Sequence, residues 1–456
     1  MTTEANPIKA PVKAPQILTL DSESPKIPWI KRLLSKARES FSKVSYPVAK
    51  ANKPRINIVD CLMSGLDVFG LKCSSLLQFD QRRREETIEH NLHILYQIQN
   101  VPCDTYMRER LDPVDPREVR HAFKSVFSLI QRNKALEEYE YLEEGYILAV
   151  DGTGHYASGN ISCPNCCNKK HSNGTVSYYH QLFEGAIVHP DKSTVIPFCP
   201  EPILKEDGAL KNDCELNASK RFFSDFRREH PHLKVVVTAD AIGANAPYIE
   251  TILKANMNFI IVAKQDGNKS LYDFIKGCDL DKYEFEKDGL LHSFEFINEV
   301  PLNDSHRDLK VNFFKYQEKN LRTGTTRSFA WITGIKITRN NVYKLMKAGR
   351  AKWKIENETF NTLKNQDYNL EHSYGHGQKH LCTIFAMLMM LAFFIDQAQE
   401  LLCSYFQAAL KKEKCKKRLW EKILALFTTY LIDSWEGMYQ AIAGKHRASR
   451  LVWDTS

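Results

Sequence analysis

Two acids sit at the ends of short apolar runs. Asp151 closes YILAVD (146–151) and Asp240 closes KVVVTAD (234–240). Far downstream, AKWKIENETFNTLK (351–364) sets Glu356 and Glu358 among Lys352, Trp353, Lys354 and Lys364. The apolar runs predict strands in a sheet interior, and an acid at the carboxyl end of such a strand emerges where open α/β sheets place their ligands. One such Asp, ahead of GTG or AIGAN, is more simply a turn residue. Two strands with the same terminus and an acidic helix downstream point instead to a shared site. Three carboxylates are hard oxygen ligands suited to Mg²⁺ or Mn²⁺. Two such ions about 4 Å apart activate a water or a 3′-hydroxyl and stabilise the leaving oxygen in phosphoryl transfer. Glu356 would complete that metal site while its basic neighbours hold nucleic-acid phosphates.

A second cluster is softer. CPNCC (163–167) carries a C-x-x-C pair, with His155, His171 and His180 close by and Cys199 and Cys214 further on. Structural zinc needs four ligands, and the simplest set is Cys163 and Cys166 with two of His171, Cys199 and Cys214. Small buried or loop cysteines are the alternative. EHSYGHGQKH (371–380) spaces His372, His376 and His380 four residues apart, although Gly375 and Gly377 argue for a loop. DNA contact or support of Glu356 suits His372 and His376 better than a metal. Asp213, Glu215, Lys220 and Arg221 share a helix whose charges are ordinarily solvated. The basic runs QRRREE (81–86) and KKEKCKKR (411–418) are either wet helix faces or phosphate-contacting ones, since phosphate neutralisation dominates DNA affinity.

The elements that must position these residues follow from periodicity. Residues 1–54 read as a basic mobile arm, with nine Lys and Arg against four Asp and Glu in the first 50, and a short helix at WIKRLLSKARESF. Residues 55–140 repeat apolar residues at helical steps and form the candidate DNA-binding region. Three strands followed by helix–strand–helix–strand over 141–265 predict a mixed α/β sheet. Alternation resumes over 266–342 as a β-rich insertion. Helices return at 343–400, with the acidic helix, and continue through basic and apolar helices at 401–456. The 456 residues suffice for two or three domains, and the net charge of +8 is a modest bias toward a polyanionic partner. Twelve cysteines are too sparse for a disulfide scaffold, which predicts reduced thiols and a cytoplasmic protein. The apolar run at 381–395 falls short of the roughly 20 residues of a membrane span and is expected to be a core helix.

Taken in order, VDGT, TADAIGAN and WKIENETFNTLKNQDYNLEHSYGHG resemble the DDE-class transposases of bacterial insertion sequences, of the type often called insertion-sequence family four. The resemblance spans roughly residues 140–395. It implies an α/β, RNase H-like catalytic core with a β-rich insertion before the last acid, between all-α N- and C-terminal regions. It further implies cut-and-paste transposition with two Mg²⁺ or Mn²⁺ ions, Asp151 bridging them and Asp240 and Glu356 each holding one. The partners would be double-stranded DNA, as element ends with inverted repeats and as target, and a second copy of the chain on that DNA. The location would be the cytoplasm, at the nucleoid. Lys352 and Lys364, with Arg350, match the family's DNA-contacting positions. Two departures stand out. The family's tyrosine is Gly349 here, and Lys364 follows Glu356 by eight residues where seven is usual. Glu356 is preferred over Glu358 as third acid because W-K-I-E matches the tryptophan spacing. The two lie about 160° apart on a helical wheel, so only one can point inward. The alternatives are a structure-selective nuclease on the same core and a catalytically silent, transposase-derived DNA-binding protein.

Overall fold

A computed structural model of the chain describes residues 28–45, 55–205 and 214–444. Most of the expected arm, and Asp213, lie outside them. The helix expected at WIKRLLSKARESF is present as Trp29–Phe41, but it is no loose appendage. Ile30, Leu33, Leu34, Ala37 and Phe41 are buried, and Ser40 Oγ lies 2.9 Å from Ser125 Oγ on the helix Pro116–Arg132.

The strands run in chain order as β1 (Tyr146–Ser158), β2 (Cys167–Lys170), β3 (Val176–Val188), β4 (Ile196–Pro197), β5 (Glu201–Ile203), β6 (Val235–Ala239), β7 (Asn258–Val262), β8 (Asp281–Lys287), β9 (Leu290–Asn303), β10 (His306–Asn320) and β11 (Thr326–Thr333). They form one mixed sheet ordered β2-β3-β1-β6-β7-β11-β10-β9-β8, with β4 and β5 also paired to β3. The class is therefore α/β, as expected. β6 is buried along its whole length because it lies in parallel register between β1 and β7, and parallel strands covered on both faces read as continuous apolar runs. The β-rich insertion is continuous with this sheet: Trp331, Ile332 and Thr333 of β11 pair antiparallel with Val262, Ile261 and Ile260 of β7. It opens with a helix, Lys269–Lys276, which the alternating pattern did not suggest.

The N- and C-terminal helices make one body. Asn91 Nδ2 donates to the carbonyls of Phe427 and Tyr430 at 2.8 and 2.7 Å, and Ile432 N donates back to Asn91 Oδ1 at 2.8 Å. At its centre runs the helix Leu381–Leu402. Its 22 residues exceed the apolar run seen in the sequence and would suffice by length and composition to cross a membrane, yet its apolar stretch is wholly buried inside the protein. The extra length comes from Asp396, Gln397 and Gln399, whose polar groups find partners. Lys72 Nζ meets Asp396 Oδ2 at 2.8 Å and lies over the Tyr368 and Trp420 rings. The Tyr368 hydroxyl also bonds Asp396. Gln397 Oε1 accepts from Val195 N at 3.0 Å, which ties the helical body to the sheet.

Removing one partner of a buried ion pair costs about 3–5 kcal/mol. Asp396→Ala should therefore lose that much in denaturant unfolding, and adding Lys72→Met should recover most of it. Equal losses in the single and double variants would show that the pair is not coupled.

Candidate functional site

Asp151 lies within β1 rather than at its end, because the strand continues to Ser158 as one arm of a long antiparallel hairpin with β3. The sheet edge falls nearby all the same: the parallel ladder with β6 stops at the pair Ala149–Thr238. Asp240 directly follows β6 and starts a short 3₁₀ turn. Glu356 lies in a π-helical turn, Ile355–Phe360, in which Asn361 N–H reaches back five residues to the Glu356 carbonyl. Such turns absorb one extra residue in a helix and frequent functional sites. Here the turn takes up one residue between Glu356 and Lys364. At Gly349 the Trp331 indole packs so closely that a Cβ would lie 2.7 Å from its Nε1.

Carboxylate oxygens of Asp151, Asp240 and Glu356 all lie within 4.8 Å of one another. Glu358 is outside this group. Between the three acids sits Lys352, whose Nζ is 3.2 Å from Asp151 Oδ2 and 3.0 Å from Asp240 Oδ2 and also bonds Glu356 Oε1. Lys352 is 1% exposed, so a residue expected at DNA phosphates instead holds its ammonium against the acids. Burial pushes the Asp151 carboxyl above its usual range despite the pull of Lys352, and Asp240 adds to the rise. Burial opposes the charge on Lys352, but the bond to Glu356 and the charges of Asp151 and Asp240 outweigh it, and its pKa is raised. A fourth acid, Glu215, opens the helix Glu215–Glu229, and its carboxylate fills the space that a side chain at Gly152 would need. Burial, then Asp151 and Asp240, raise its pKa too. The sequence placed Glu215 on a solvated or supporting helix, and only contact with Gly152 brings it to the site.

The other basic residues are engaged elsewhere. Arg350 bonds Glu318 Oε2 on β10 at 3.0 Å and stacks on Phe329, bracing the insertion. Lys364 pairs with Glu371 at 2.8 Å. His372 is exposed and sets its ring edge on Tyr374.

Soft ligands gather at a second place. Cys163 and Cys166 come together with His180 and His376, their ligand atoms all within 4.8 Å of one another. The set expected from sequence is corrected at every other position. His171 is exposed and bonds Ser177 Oγ at 2.6 Å. Cys199 is buried with its thiol toward the Pro200 carbonyl, and Cys214 is exposed at the start of a helix. His180 was passed over because strand pairing, not spacing, carries it to the cysteines. His376, expected at DNA or behind Glu356, belongs to this cluster. No disulfide joins the described cysteines. Scanned against models of known families the chain has no match, and it has none among curated proteins.

Lys352 is what holds the Asp151 carboxyl down, so Lys352→Met should raise it further. A carboxyl whose folded pKa exceeds its unfolded value of about 4 destabilises the fold only as pH rises past that value. The variant should thus unfold close to wild type near pH 4 and lose about 2 kcal/mol near pH 7, the scale of a charged hydrogen bond. Thermal unfolding across pH measures this, and a deficit that does not change with pH would contradict it.

Proposed function

We propose that this chain is a metal-dependent DNA transposase of the DDE type, acting by strand cleavage and strand transfer. The observation that carries the proposal is the convergence of Asp151, Asp240 and Glu356, from two strands and a helix, to within 4.8 Å. The strand order supports an RNase H-like core. β3 is antiparallel to β1 and carries the short strands β4 and β5 on its far side, while β6 and β7 follow in parallel on the other. Asp151 stands on β1, Asp240 directly after β6, and Glu356 on a late helical turn.

Three carboxylates with oxygens this close suit Mg²⁺ or Mn²⁺ by donor type and charge. A bound pair of such ions supplies an activated attacking oxygen and stabilises the leaving one. Asp151, Asp240 and Glu356 would be the residues that hold such ions. With a cation held there, Lys352 would be released from the carboxylates, and its ammonium, one turn before Glu356, would be free for a phosphate oxygen. Glu215 packs against Gly152, the residue after Asp151. The net charge of +8 suits a double-stranded DNA partner, and joining two element ends calls for two copies of the chain.

The Lys352 ion pairs favour a second reading, a silent DNA-binding relative in which the lysine has replaced the cation for good. Nicking of a supercoiled plasmid carrying the DNA that flanks the coding region separates the two. Wild type and Glu358→Gln should nick with Mg²⁺ or Mn²⁺. Asp151→Asn, Asp240→Asn and Glu356→Gln should fall to background while still retarding the same DNA. A wild type that binds but never nicks would favour the silent reading, and nicking by Glu356→Gln at the wild-type rate would refute the triad.

A further inference from the structure

We infer that Cys163, Cys166, His180 and His376 form a closed, structural zinc site. The inference is independent of how the acidic site is read.

The fold delivers the four ligands by separate means. In the C-x-x-C turn, Cys166 N donates to the Cys163 carbonyl at 3.1 Å, and Cys163 N points at Cys166 Sγ at 3.4 Å. β2 pairs with β3 so that Cys167 faces Tyr179, and one residue further this register sets Cys166 across from His180. His376 arrives from a loop 210 residues away from Cys166. That loop is held from the helical body, where Asp112 Oδ1 accepts the backbone N–H groups of Lys379, His380 and Leu381 at 2.9, 3.2 and 3.1 Å. Gly377 is needed for this: its φ is +69°, and a Cβ there would lie 2.2 Å from Asp112 Oδ1. Asn165, inside the C-x-x-C turn, donates to the Lys379 carbonyl at 2.7 Å and closes the cluster from the other side.

Four of the six ligand spacings match those of a tetrahedral zinc site. Zinc–sulfur bonds of about 2.3 Å and zinc–nitrogen bonds of about 2.0–2.1 Å at tetrahedral angles place two sulfurs about 3.8 Å apart and a sulfur and a nitrogen about 3.5 Å apart. The two Sγ atoms here are 3.8 Å apart. His180 Nε2 lies 3.5 Å from Cys163 Sγ and 3.3 Å from Cys166 Sγ, and His376 Nε2 lies 3.4 Å from Cys166 Sγ. Hydrogen bonding accounts for this less well, because a thiol has one proton and Cys166 Sγ meets four polar atoms: Cys163 N and Sγ, His180 Nε2 and His376 Nε2. A disulfide would need the sulfurs at about 2.05 Å, which draws them away from the rings. Two thiolates and two imidazoles in tetrahedral array select zinc, and four protein ligands leave no open position for catalysis. The ion would fasten the β1–β3 hairpin to the segment after the π-helical turn.

Metal analysis of the full chain, purified from zinc-supplemented growth and dialysed, should give close to one zinc per chain. Cobalt in its place should show the charge-transfer and visible bands of a tetrahedral thiolate site. Cys166→Ser, His180→Ala and His376→Ala should each weaken zinc binding by more than the about 10–100-fold lost with an outer-shell partner. His376→Cys, which restores a fourth soft ligand, should bind again, and His171→Ala and Cys214→Ser should stay loaded. Wild type without zinc, a Cys163–Cys166 disulfide in the mass spectrum of the fresh protein, or full loading of His376→Ala would each overturn the inference.

Discussion

Like charges can be gathered only where something of opposite sign holds them, and the acidic site is built around that constraint. Two unit charges about 4.8 Å apart repel by on the order of 3 kcal/mol at an effective dielectric of about 20, and less where Asp240 reaches solvent. Three carboxylates converge within that distance, and Lys352, 1% exposed, supplies the counter-charge. Its side chain cannot escape to water without leaving the acids uncompensated. Under the proposed function a divalent cation would replace it: a partner of higher charge could take the carboxylates and free the ammonium.

Holding the acids in register falls to the rest of the molecule. The parallel ladder between β1 and β6 sets Asp151 against Asp240. The π-helical turn brings Glu356, and β11, joined to β7, packs Trp331 against the preceding helix, Val342–Arg350, at Gly349. Beyond it, the segment carrying His376 is anchored by Asp112 from the helical body. The two ligand clusters differ in hardness, oxygens in one and sulfur with nitrogen in the other, so each favours a different class of metal ion. A soft closed centre can then brace the scaffold without competing for the ions that suit the acids.

Much of this was legible in the residues. The apolar runs ending at Asp151 and Asp240 announced two buried strands, and the alternation over 266–342 announced the added β-structure. Glu356 was preferred to Glu358 through the resemblance, on its tryptophan spacing, and Glu356 is the one that joins the acids. What stayed hidden depends on contacts that sequence distance does not encode. His180 reaches Cys166 through the register of β2 with β3, and His376 through a loop held by Asp112. Glu215 meets Gly152 only once its helix packs on the sheet. Lys352 looked like a phosphate ligand because a lysine beside an acid in a helix is ordinarily exposed, and burial reversed its role. The π-helical turn at Ile355–Phe360 had no signal in the apolar spacing.

Anomalous diffraction from crystals of the full chain soaked in Mn²⁺ addresses the acidic site most directly. Convergence on a cation site calls for manganese peaks bounded by Asp151, Asp240 and Glu356, with the Lys352 ammonium turned away from them. Lys352 still paired to all three acids, with no anomalous peak at saturating Mn²⁺, would contradict it.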